Sequence, residues 1–454
     1  MNRKAIDMTT GSPLRLLIAF TLPMIFGNIF QQVYSMVDTV VVGRFVSKEA
    51  LAAVGATGSI MFLMISVIIG FTVGTSIVTA QAAGAKNTEE IRTIFATAAF
   101  LILAESALLC LLGNLFLRPA LKLLHTPEGI LDQADLYLRI NFSTCIAPIA
   151  YNMYSQFMRS LGDSRTPLAA LIISSVVNII LDLALVLLFD MGVAGVAAAT
   201  AIAQALSAVF CLVSILKKFP EAVPLKGGWK PSAAVSGRII RFGIPMSIQN
   251  LIVSLGMMVI QSMINGFGTD YVAGYTAANR VDQIALQFLN STGSAVSTYA
   301  GQNFGAKKKE RIFAGLRSGL LMSSVMAVFL SAVLLIAGRF LLMLFLKPEE
   351  TMALSAGVSY LRIICSFYLF CGAEYVISNL QRGVGEVAVP TAVSIIELAL
   401  KIGAAFLLSA RFGIAGIYVG WPASWIAADL LLLAYYYLRT RPKLNRLGAP
   451  ETAE

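Results

Sequence analysis

The sequence predicts an all-α membrane protein whose twelve transmembrane helices form two six-helix bundles. Of its 454 residues, 57% are hydrophobic and only 13% are charged, which is about half the charged fraction of a soluble protein. Apolar stretches long enough to cross a membrane recur along the whole chain, and the second half repeats short motifs of the first in the same order. This composition excludes a water-soluble enzyme and indicates a polytopic protein that has the lipid bilayer as a partner.

The twelve spans come from scanning the chain for about 20 mostly apolar residues, the length needed to cross the hydrocarbon core. In chain order they are predicted at residues 14–42, 50–79, 93–117, 136–158, 166–189, 193–216, 239–265, 271–299, 315–337, 358–381, 389–410 and 414–438. The residues before the first span are polar and show no cleavage signature, so this span is predicted to be a retained helix and not a signal peptide.

The basic residues predict the orientation of these spans. The net charge is +10, and of the 34 lysines and arginines 23 fall on the side that holds both termini, against nine on the other side. By the positive-inside rule, both termini are predicted to be cytoplasmic. The basic residues lie between apolar runs and form no stripe with interleaved aromatic residues, so nucleic acid is not an expected partner.

Cysteine and histidine usage argues against metal and cofactor chemistry. The five cysteines all lie in apolar segments without CxxC spacing, and the single histidine, His125, lies in a polar loop beside Pro127. A disulfide framework, a zinc site and a histidine-based catalytic triad are therefore not expected. We expect no cofactor and no enzymatic activity.

Four motifs of the first half return in the second half. The matched sets are Phe20, Pro23, Met24 and Asn28 with Phe242, Pro245, Met246 and Asn250; residues 81–86 with 302–307; residues 137–140 with 360–363; and Arg159, Gly162, Asp163 and Pro167 with Arg382, Gly385, Glu386 and Pro390. Shifts of 221 to 223 residues indicate a duplicated six-helix unit.

The duplication predicts the domain organisation. Residues 1–216 are predicted to form the first lobe, residues 217–238 a cytoplasmic linker and residues 239–454 the second lobe. The linker contains Lys217, Lys218, Pro220, Pro224, Gly227 and Gly228. Because six is an even number, the two lobes are predicted to be parallel and related by a pseudo-two-fold axis along the membrane normal, a design that suits alternating access better than a channel.

Acidic residues inside spans are the candidate functional groups, because an ionisable side chain in hydrocarbon costs about 2.5 kcal/mol or more. The first lobe contains Asp38, Glu105 and Asp182 within spans, without a Lys or Arg in the middle of a span. Such a carboxylate takes up a proton or binds a cation. Asn178 precedes Asp182 by four residues and therefore shares its helix face, which makes Asp38, Asp182 and Asn178 a possible site for H⁺ or Na⁺. A plain hydrogen bond between helices, and for Asp38 a side chain that reaches water, remain alternatives.

Pro23 in the first span is a candidate gating residue. Pro23 lies fifteen residues before Asp38, and an interior proline frees a backbone carbonyl and kinks a helix. The first span is therefore predicted to bend when its acid changes charge. Pro245 holds the equivalent place in the seventh span, and a kink without any gating function remains the alternative.

The second lobe differs because its acids are accompanied by basic residues. Its acidic and basic residues away from the ends of spans are Arg280, Asp282, Glu374, Glu397, Lys401 and Asp429. Glu397 and Lys401 are predicted to form an ion pair at i,i+4 spacing, whereas Arg280 and Asp282 do not face each other and each needs a partner on another span. Glu374 is a candidate partner for Arg280.

The combined pattern closely resembles the multidrug and toxic compound extrusion (MATE) family of transporters over nearly the whole chain. The resemblance rests on the twelve spans in two copies, Pro23 and Asp38 in the first span, Gly-Ala-Lys after spans 2 and 8, and the segment RSLGDSRTP after span 4. It implies two bundles around a central cavity that exchange organic cations for Na⁺ or H⁺. It also implies a bacterial or archaeal inner membrane as the location.

The resemblance also implies a set of site residues. One prokaryotic branch of the family places its cation site in the N-terminal lobe, and the positions that match it here are Asp38, Tyr137, Asn178, Asp182 and Thr200. The span 4 asparagine of that branch aligns with Ser155, with Asn152 one turn earlier. Another branch uses acids in spans 7 and 10; here span 7 has none, and Glu374 remains in span 10.

The predicted function is a secondary active multidrug efflux antiporter that exchanges small organic cations for H⁺ or Na⁺ by alternating access. A lipid-linked oligosaccharide flippase of the same superfamily is the nearest alternative. Its pyrophosphate cargo favours a cavity with Arg and Lys, which the first lobe lacks in the middle of its spans. An intramembrane enzyme lacks a recognisable set of reacting residues. No small-xxx-small face stands out to indicate a dimer, so a monomer is expected.

Overall fold

The computed structural model describes residues 5–224 and 228–447, and within these ranges it consists of helices and connecting turns without a strand. The helices of the first half are α1 Pro13–Val41, α2 Lys48–Ala56, α3 Gly58–Gly84, α4 Thr88–Leu123, α5 Glu128–Ser143, α6 Ile146–Ser160, α7 Arg165–Leu183 and α8 Gly192–Lys218. Those of the second half are α9 Ala233–Asn265, α10 Thr269–Gly305, α11 Lys309–Leu342, α12 Thr351–Cys365, α13 Tyr368–Gly383, α14 Ala388–Phe412, α15 Ile414–Tyr435 and α16 Arg441–Asn445.

Short π-helical turns extend three of these helices. They follow α1 at Val42–Val46, α7 at Ala184–Leu188 and α15 at Tyr436–Thr440. Of the predicted linker, the described part contains a 3₁₀ turn at Pro220–Ala222, and Gly227 lies outside the described residues.

The predicted spans agree with the helices. Nine helices of the described residues are long and apolar enough to cross a membrane, and α12 with α13, bent by 51°, makes a tenth. The two remaining predicted spans correspond to α10 and to the pair α5 and α6, which are more polar. The chain is therefore a multi-pass membrane protein with an all-helical fold.

Three predicted spans are not continuous helices. The second begins with a separate helix, α2, whose N-terminus is capped where the Ala50 amide donates to Ser47 Oγ at 3.0 Å. The fourth breaks at residues 144–145 and the tenth at residues 366–367, a shift of 222 residues. The hydropathy pattern alone did not indicate these breaks, because the residues around each break are as apolar as the helices beside them.

The backbone conformation of the repeated motifs is also the same in both halves. Lys86 and Lys307, the last residues of the two Gly-Ala-Lys motifs, both have φ of 56°. Gly162 and Gly385 have φ of 96° and 87° in the turns after α6 and α13. This left-handed region favours glycine, so the repeated glycines have a conformational reason.

The described residues divide into two compact units. The first contains Leu22–Ser247 with the short segment before Met8, and the second contains Met8–Thr21 and the chain from Ile248 onward. The start of α1 thus belongs to the second unit and the start of α9 to the first. The lobe bounds expected from the repeat, residues 1–216 and 239–454, stay a prediction.

Each unit has its own apolar core. In the first unit α4, α6 and α8 meet around Phe95, Phe157 and Ile215. In the second unit α10, α12 and α15 meet around Leu289, Ile364 and Trp425. These cores fix the positions of the helices that carry buried polar groups.

Candidate functional site

The ends of α1 and α7 meet in the first unit. Val37 on α1, Tyr137 on α5 and Leu183 on α7 pack against one apolar cluster that also contains Val42 and Val186. Asp38 directly follows Val37, and Asp182 directly precedes Leu183. Local packing therefore brings the two acids of the first and fifth predicted spans together.

The side chains of Asp38 and Asp182 interact with each other. Asp182 has no exposed surface, and Asp38 is half-buried. Oδ1 of Asp38 and both carboxylate oxygens of Asp182 are buried and receive no hydrogen bond from the described residues. Two carboxylates in this arrangement repel each other, so the site is suited to hold a cation.

Asn178 lies one turn before Asp182 on α7, as its spacing predicts. Its side chain is 2% exposed, and neither its amide oxygen nor its amide nitrogen has a hydrogen-bond partner in the described residues. A buried amide without partners is costly. Asn178 is therefore available to a ligand that binds beside Asp182.

Tyr137 and Thr200 occupy different places relative to the acids. Tyr137 on α5 interacts electrostatically with both Asp38 and Asp182. Thr200 on α8 is half-buried and lies one turn before Gln204. α8 packs against α7, which carries Asp182.

Two further residues belong to this site and were not predicted. Tyr34 lies one turn before Asp38 on α1, interacts with it electrostatically and is hydrogen-bonded to the side chain of Gln204. The spacing of Tyr34 and Asp38 in the sequence was a usable signal, because residues four apart share a helix face. Gln204 could have been found in the same way, because it lies four residues after Thr200 and shares its helix face.

The span 4 candidates, Asn152 and Ser155, have hydrogen-bond partners on their own helix, α6. Asn152 donates its amide to the Pro148 carbonyl at 2.8 Å, within its own helix. Ser155 is buried and is hydrogen-bonded to Tyr151. A role for Asn152 or Ser155 at the Asp38 and Asp182 pair therefore stays a prediction.

In the second unit the structure corrects the expected partner of Arg280 and identifies the partners of Asp282. Arg280 is exposed, and its guanidinium lies 6.0 Å from the centre of the Phe345 ring; no ion pair to Glu374 occurs in the described residues. Asp282 is 2% exposed and accepts hydrogen bonds from Tyr360 at 2.9 Å and from Tyr368. Asp282 therefore has the partners on another span that its spacing predicts, and the two tyrosines lie on α12 and α13.

The other buried acids also differ in their surroundings. Glu397 and Lys401 form the predicted ion pair at 2.9 Å. Glu374 is half-buried on α13 and interacts electrostatically with this pair. Glu105 on α4 is 5% exposed, and neither carboxyl oxygen has a hydrogen-bond partner in the described residues.

The described residues contain no group of three or more His, Cys, Asp or Glu side chains arranged to hold a metal ion. The five cysteines are free. A Na⁺ ion at the first-unit site would depend on the carboxylates of Asp38 and Asp182 and the amide oxygen of Asn178, which are the oxygen ligands that hard cations prefer.

Comparison with known proteins identifies the family. A model of the MatE family matches residues 23–184 and 245–407. The chain belongs to the MatE (MATE) family of transporters. The two matched segments begin at the repeated prolines, Pro23 and Pro245, so the resemblance and the duplication inferred from the sequence are both confirmed.

Relatives of this MATE protein extend over nearly its whole length. The probable multidrug resistance protein YoeA of Bacillus subtilis (strain 168) is 31% identical over 441 residues, which cover 94% of each chain. The probable multidrug resistance protein YpnP of the same organism is 28% identical over 436 residues, which cover 95% of this chain and 97% of that protein. A crystal structure of a MATE in the bent conformation is 21% identical with a TM-score of 0.90 and covers 98% of both chains. The fold of this chain is therefore the fold of the MATE transporters.

Proposed function

We propose that this MATE transporter is a multidrug efflux antiporter that exchanges small organic cations for H⁺ or Na⁺ bound at Asp38 and Asp182. The cargo is inferred from the relatives, which are named multidrug resistance proteins. The coupling ion and its site are inferred from the geometry of the first unit.

The contact between the Asp38 and Asp182 carboxyl groups carries the proposal. When a cation binds, it offsets one of the two negative charges and α1 and α7 pack closely at this point. When the cation leaves, two buried negative charges repel each other. The site therefore has two states that differ in free energy, as an ion-driven conformational change requires.

Asn178, Tyr34, Tyr137 and Thr200 are proposed to complete the site. The amide of Asn178 lacks partners, so it would bind the entering ion or a proton network beside Asp182. Tyr34 and Tyr137 interact electrostatically with Asp38 and would hold its carboxyl group in place. Thr200 lies on α8 beside α7 and would respond when α7 moves.

Pro23 is proposed to be the gating position. It lies inside α1, on the same helix as Asp38, and it leaves a backbone carbonyl of the helix without its usual donor. A change in the charge of Asp38 would alter the bend at this point. We further propose that both termini face the cytoplasm, in the inner membrane of a bacterium or archaeon, on the strength of the basic residues in alternate loops.

The lipid-linked oligosaccharide flippase is not proposed. The relatives reported above are named multidrug resistance proteins. In the described structure Asp182 interacts with the acidic Asp38, whereas a pyrophosphate cargo favours basic residues.

Ethidium exchange in proteoliposomes tests the proposal. A pH gradient and a Na⁺ gradient are imposed separately on wild type, Asp38→Asn and Asp182→Asn. We expect one gradient to drive ethidium in the wild type and the rate to fall by about tenfold or more in both variants, because the ion can no longer distinguish the two states. Asp190→Asn is the matched control, since Asp190 is exposed in the same unit.

The outcomes of this experiment test the proposed antiport and the proposed coupling site separately. If neither gradient moves ethidium although the wild type is folded, the antiporter proposal is wrong. If ethidium moves at the wild-type rate in Asp38→Asn and Asp182→Asn, the protein is an antiporter but its coupling site lies elsewhere.

A further inference from the structure

A second buried charge cluster lies between α14 and α15. We call Glu397, Lys401 and Asp429 the α14–α15 cluster; these side chains are 8%, 7% and 6% exposed. On α14, Glu397 and Lys401 are four residues apart, and on α15, Asp429 follows Trp425 by four residues. Each set therefore lines one face of its helix, and these two helices pack against each other.

Within this cluster, Glu397 and Lys401 form an ion pair with each other. The Lys401 ammonium donates to Glu397 Oε1 at 2.9 Å, and Ser424 Oγ donates to the same oxygen at 3.3 Å. The ammonium also lies 4.1 Å from the centre of the Trp421 ring, where a cation is stabilised by the negative face of the indole. The single positive charge of the cluster is therefore already paired.

Asp429 has a buried carboxyl oxygen without a partner. Its Oδ1 atom has no hydrogen-bond donor in the described residues, and the charged group that interacts with it is the like-charged Glu397. With Glu397 and Lys401 neutralising each other, an ionised Asp429 would carry a buried and uncompensated negative charge. Such a charge costs several kcal/mol, so it requires a bound cation.

The other titratable groups around the cluster add no positive charge at Asp429. From α13, Glu374 and Cys371 interact electrostatically with the cluster, and Glu374 is a further acid. Arg382 interacts with Glu374, but its guanidinium donates to Gln249 at 3.2 Å. From α10, Asp282 is already held by two tyrosine hydroxyls.

We propose that Asp429 is a proton-binding site of the second unit, with the Glu397–Lys401 ion pair as its fixed neighbour. A proton fits because it needs only one carboxyl group, whereas the described residues provide no set of three donors for a metal ion. When the proton leaves, the Asp429 carboxylate competes with Glu397 for Lys401. The contact between α14 and α15 then has two arrangements, and Asp429 carries a second proton of the exchange cycle; this role in exchange rests on the proposed antiport.

Infrared difference spectroscopy of the full chain in Na⁺-free liposomes tests the binding site, because the C=O stretching band reports protonated carboxyl groups. Between acidic and alkaline pH, we expect Asp429→Asn to lose the contribution of about one carboxyl group from the wild-type band. Asp270→Asn, an exposed acid of the same unit, should leave the band unchanged. A band in Asp429→Asn that superimposes on the wild-type band overturns the proposal.

A second variant decides the matter if Asp429→Asn does not fold. Lys401→Met removes the only positive charge of the cluster, so Glu397 must also take up a proton and the carboxyl band should gain intensity at neutral pH. An unchanged band in Lys401→Met overturns the proposal as well.

These measurements contain no drug, so their outcome does not depend on ethidium transport. Failure of ethidium exchange contradicts the proposed antiport. It does not affect the loss of carboxyl band intensity expected in Asp429→Asn. If exchange occurs, Asp429→Asn should lower the number of protons that enter per ethidium. An unchanged ratio would show that Asp429 has no part in coupling.

Discussion

At the scale of single residues, the buried acids of this MATE transporter fall into two kinds. Asp282 receives hydrogen bonds from two tyrosine hydroxyls, which satisfy a carboxylate without a cation. In the described residues, both carboxylate oxygens of Asp182 and one of Asp429 are buried without a donor. Asp282, of the first kind, stabilises the fold, and of the second kind Asp182 and Asp429 are the ones proposed to bind ions.

The two tyrosines of Asp282 give a test of this distinction. Tyr360→Phe removes one donor and leaves the carboxylate partly unsatisfied, so the free energy of unfolding should fall by about 1–3 kcal/mol. Thermal unfolding in detergent measures the change, and Tyr437→Phe, an exposed tyrosine, is the control. Equal stability of Tyr360→Phe and wild type would show that the hydroxyl contributes nothing to Asp282.

Asp163 is a second residue whose effect can be predicted. Its carboxylate accepts hydrogen bonds from the backbone amides of Arg165 and Thr166 at 3.1 and 3.0 Å and caps the start of α7, and it also pairs with Lys218 at 3.1 Å. Asp163→Ala should lower the free energy of unfolding by about 1–2 kcal/mol through loss of the cap. Lys218→Ala should cost less, because this lysine is 48% exposed and its ion pair is screened by water. The reverse order in chemical or thermal unfolding would contradict the capping role.

At the scale of helices, α3 and α9 approach each other closely in the first unit. A Cβ atom on Gly74 would overlap the Ile239 carbonyl oxygen, and one on Gly243 would lie 2.9 Å from the Gly70 carbonyl oxygen. Small residues allow membrane helices to approach in this way. These glycines explain how the start of α9 packs with the first unit.

Substitution of these glycines should separate close packing from helix propensity. Gly74→Ala forces α3 and α9 apart and should destabilise the protein by about 1–3 kcal/mol. Gly237→Ala on α9 meets no atom within 4 Å, so it should leave stability unchanged or raise it slightly. Melting temperatures of the two variants in the same detergent compare them directly. If both variants melt at the same temperature, the close contact is not formed.

At the scale of the whole molecule, the chain places the start of each half in the unit formed by the other half. Met8 belongs to the second unit, where its amide donates to Gln302 Oε1 at 3.0 Å and its carbonyl accepts from Asn303 at 3.0 Å. Arg311 donates to the carbonyl groups of Met8 at 3.0 Å and of Gly11 at 2.9 Å. Residues 8–12, directly before α1, are therefore part of the second unit's structure.

Arg311 should thus hold the N-terminal segment. Arg311→Ala removes charged hydrogen bonds worth about 1.5–3 kcal/mol and should make the backbone around Met8 and Gly11 accessible to protease. Arg317→Ala, on the same helix with an exposed side chain, is the matched control. Limited proteolysis followed by mass spectrometry measures the cleavage, and equal protection in the two variants would contradict this assignment.

The sequence alone determined the class of the protein, its helices and its duplication. Apolar length predicts membrane helices because the bilayer imposes one length on every span, and equal shifts between motifs reveal a repeat without any knowledge of packing. It also indicated Asp38, Asp182 and Asn178, since a charge in hydrocarbon is conspicuous, and it predicted the ion pair of Glu397 with Lys401 from a spacing within one helix.

Only the tertiary structure decided which side chains from different helices meet. The contact of Asp38 with Asp182, the tyrosines around Asp282 and the isolation of Asp429 all depend on helix rotation and packing, which no spacing within a single helix reveals. The breaks at residues 144–145 and 366–367, and the place of Met8–Thr21 in the second unit, likewise depend on tertiary contacts. Hydropathy reports only the transfer of a segment into lipid, and these features depend on how one segment fits against another.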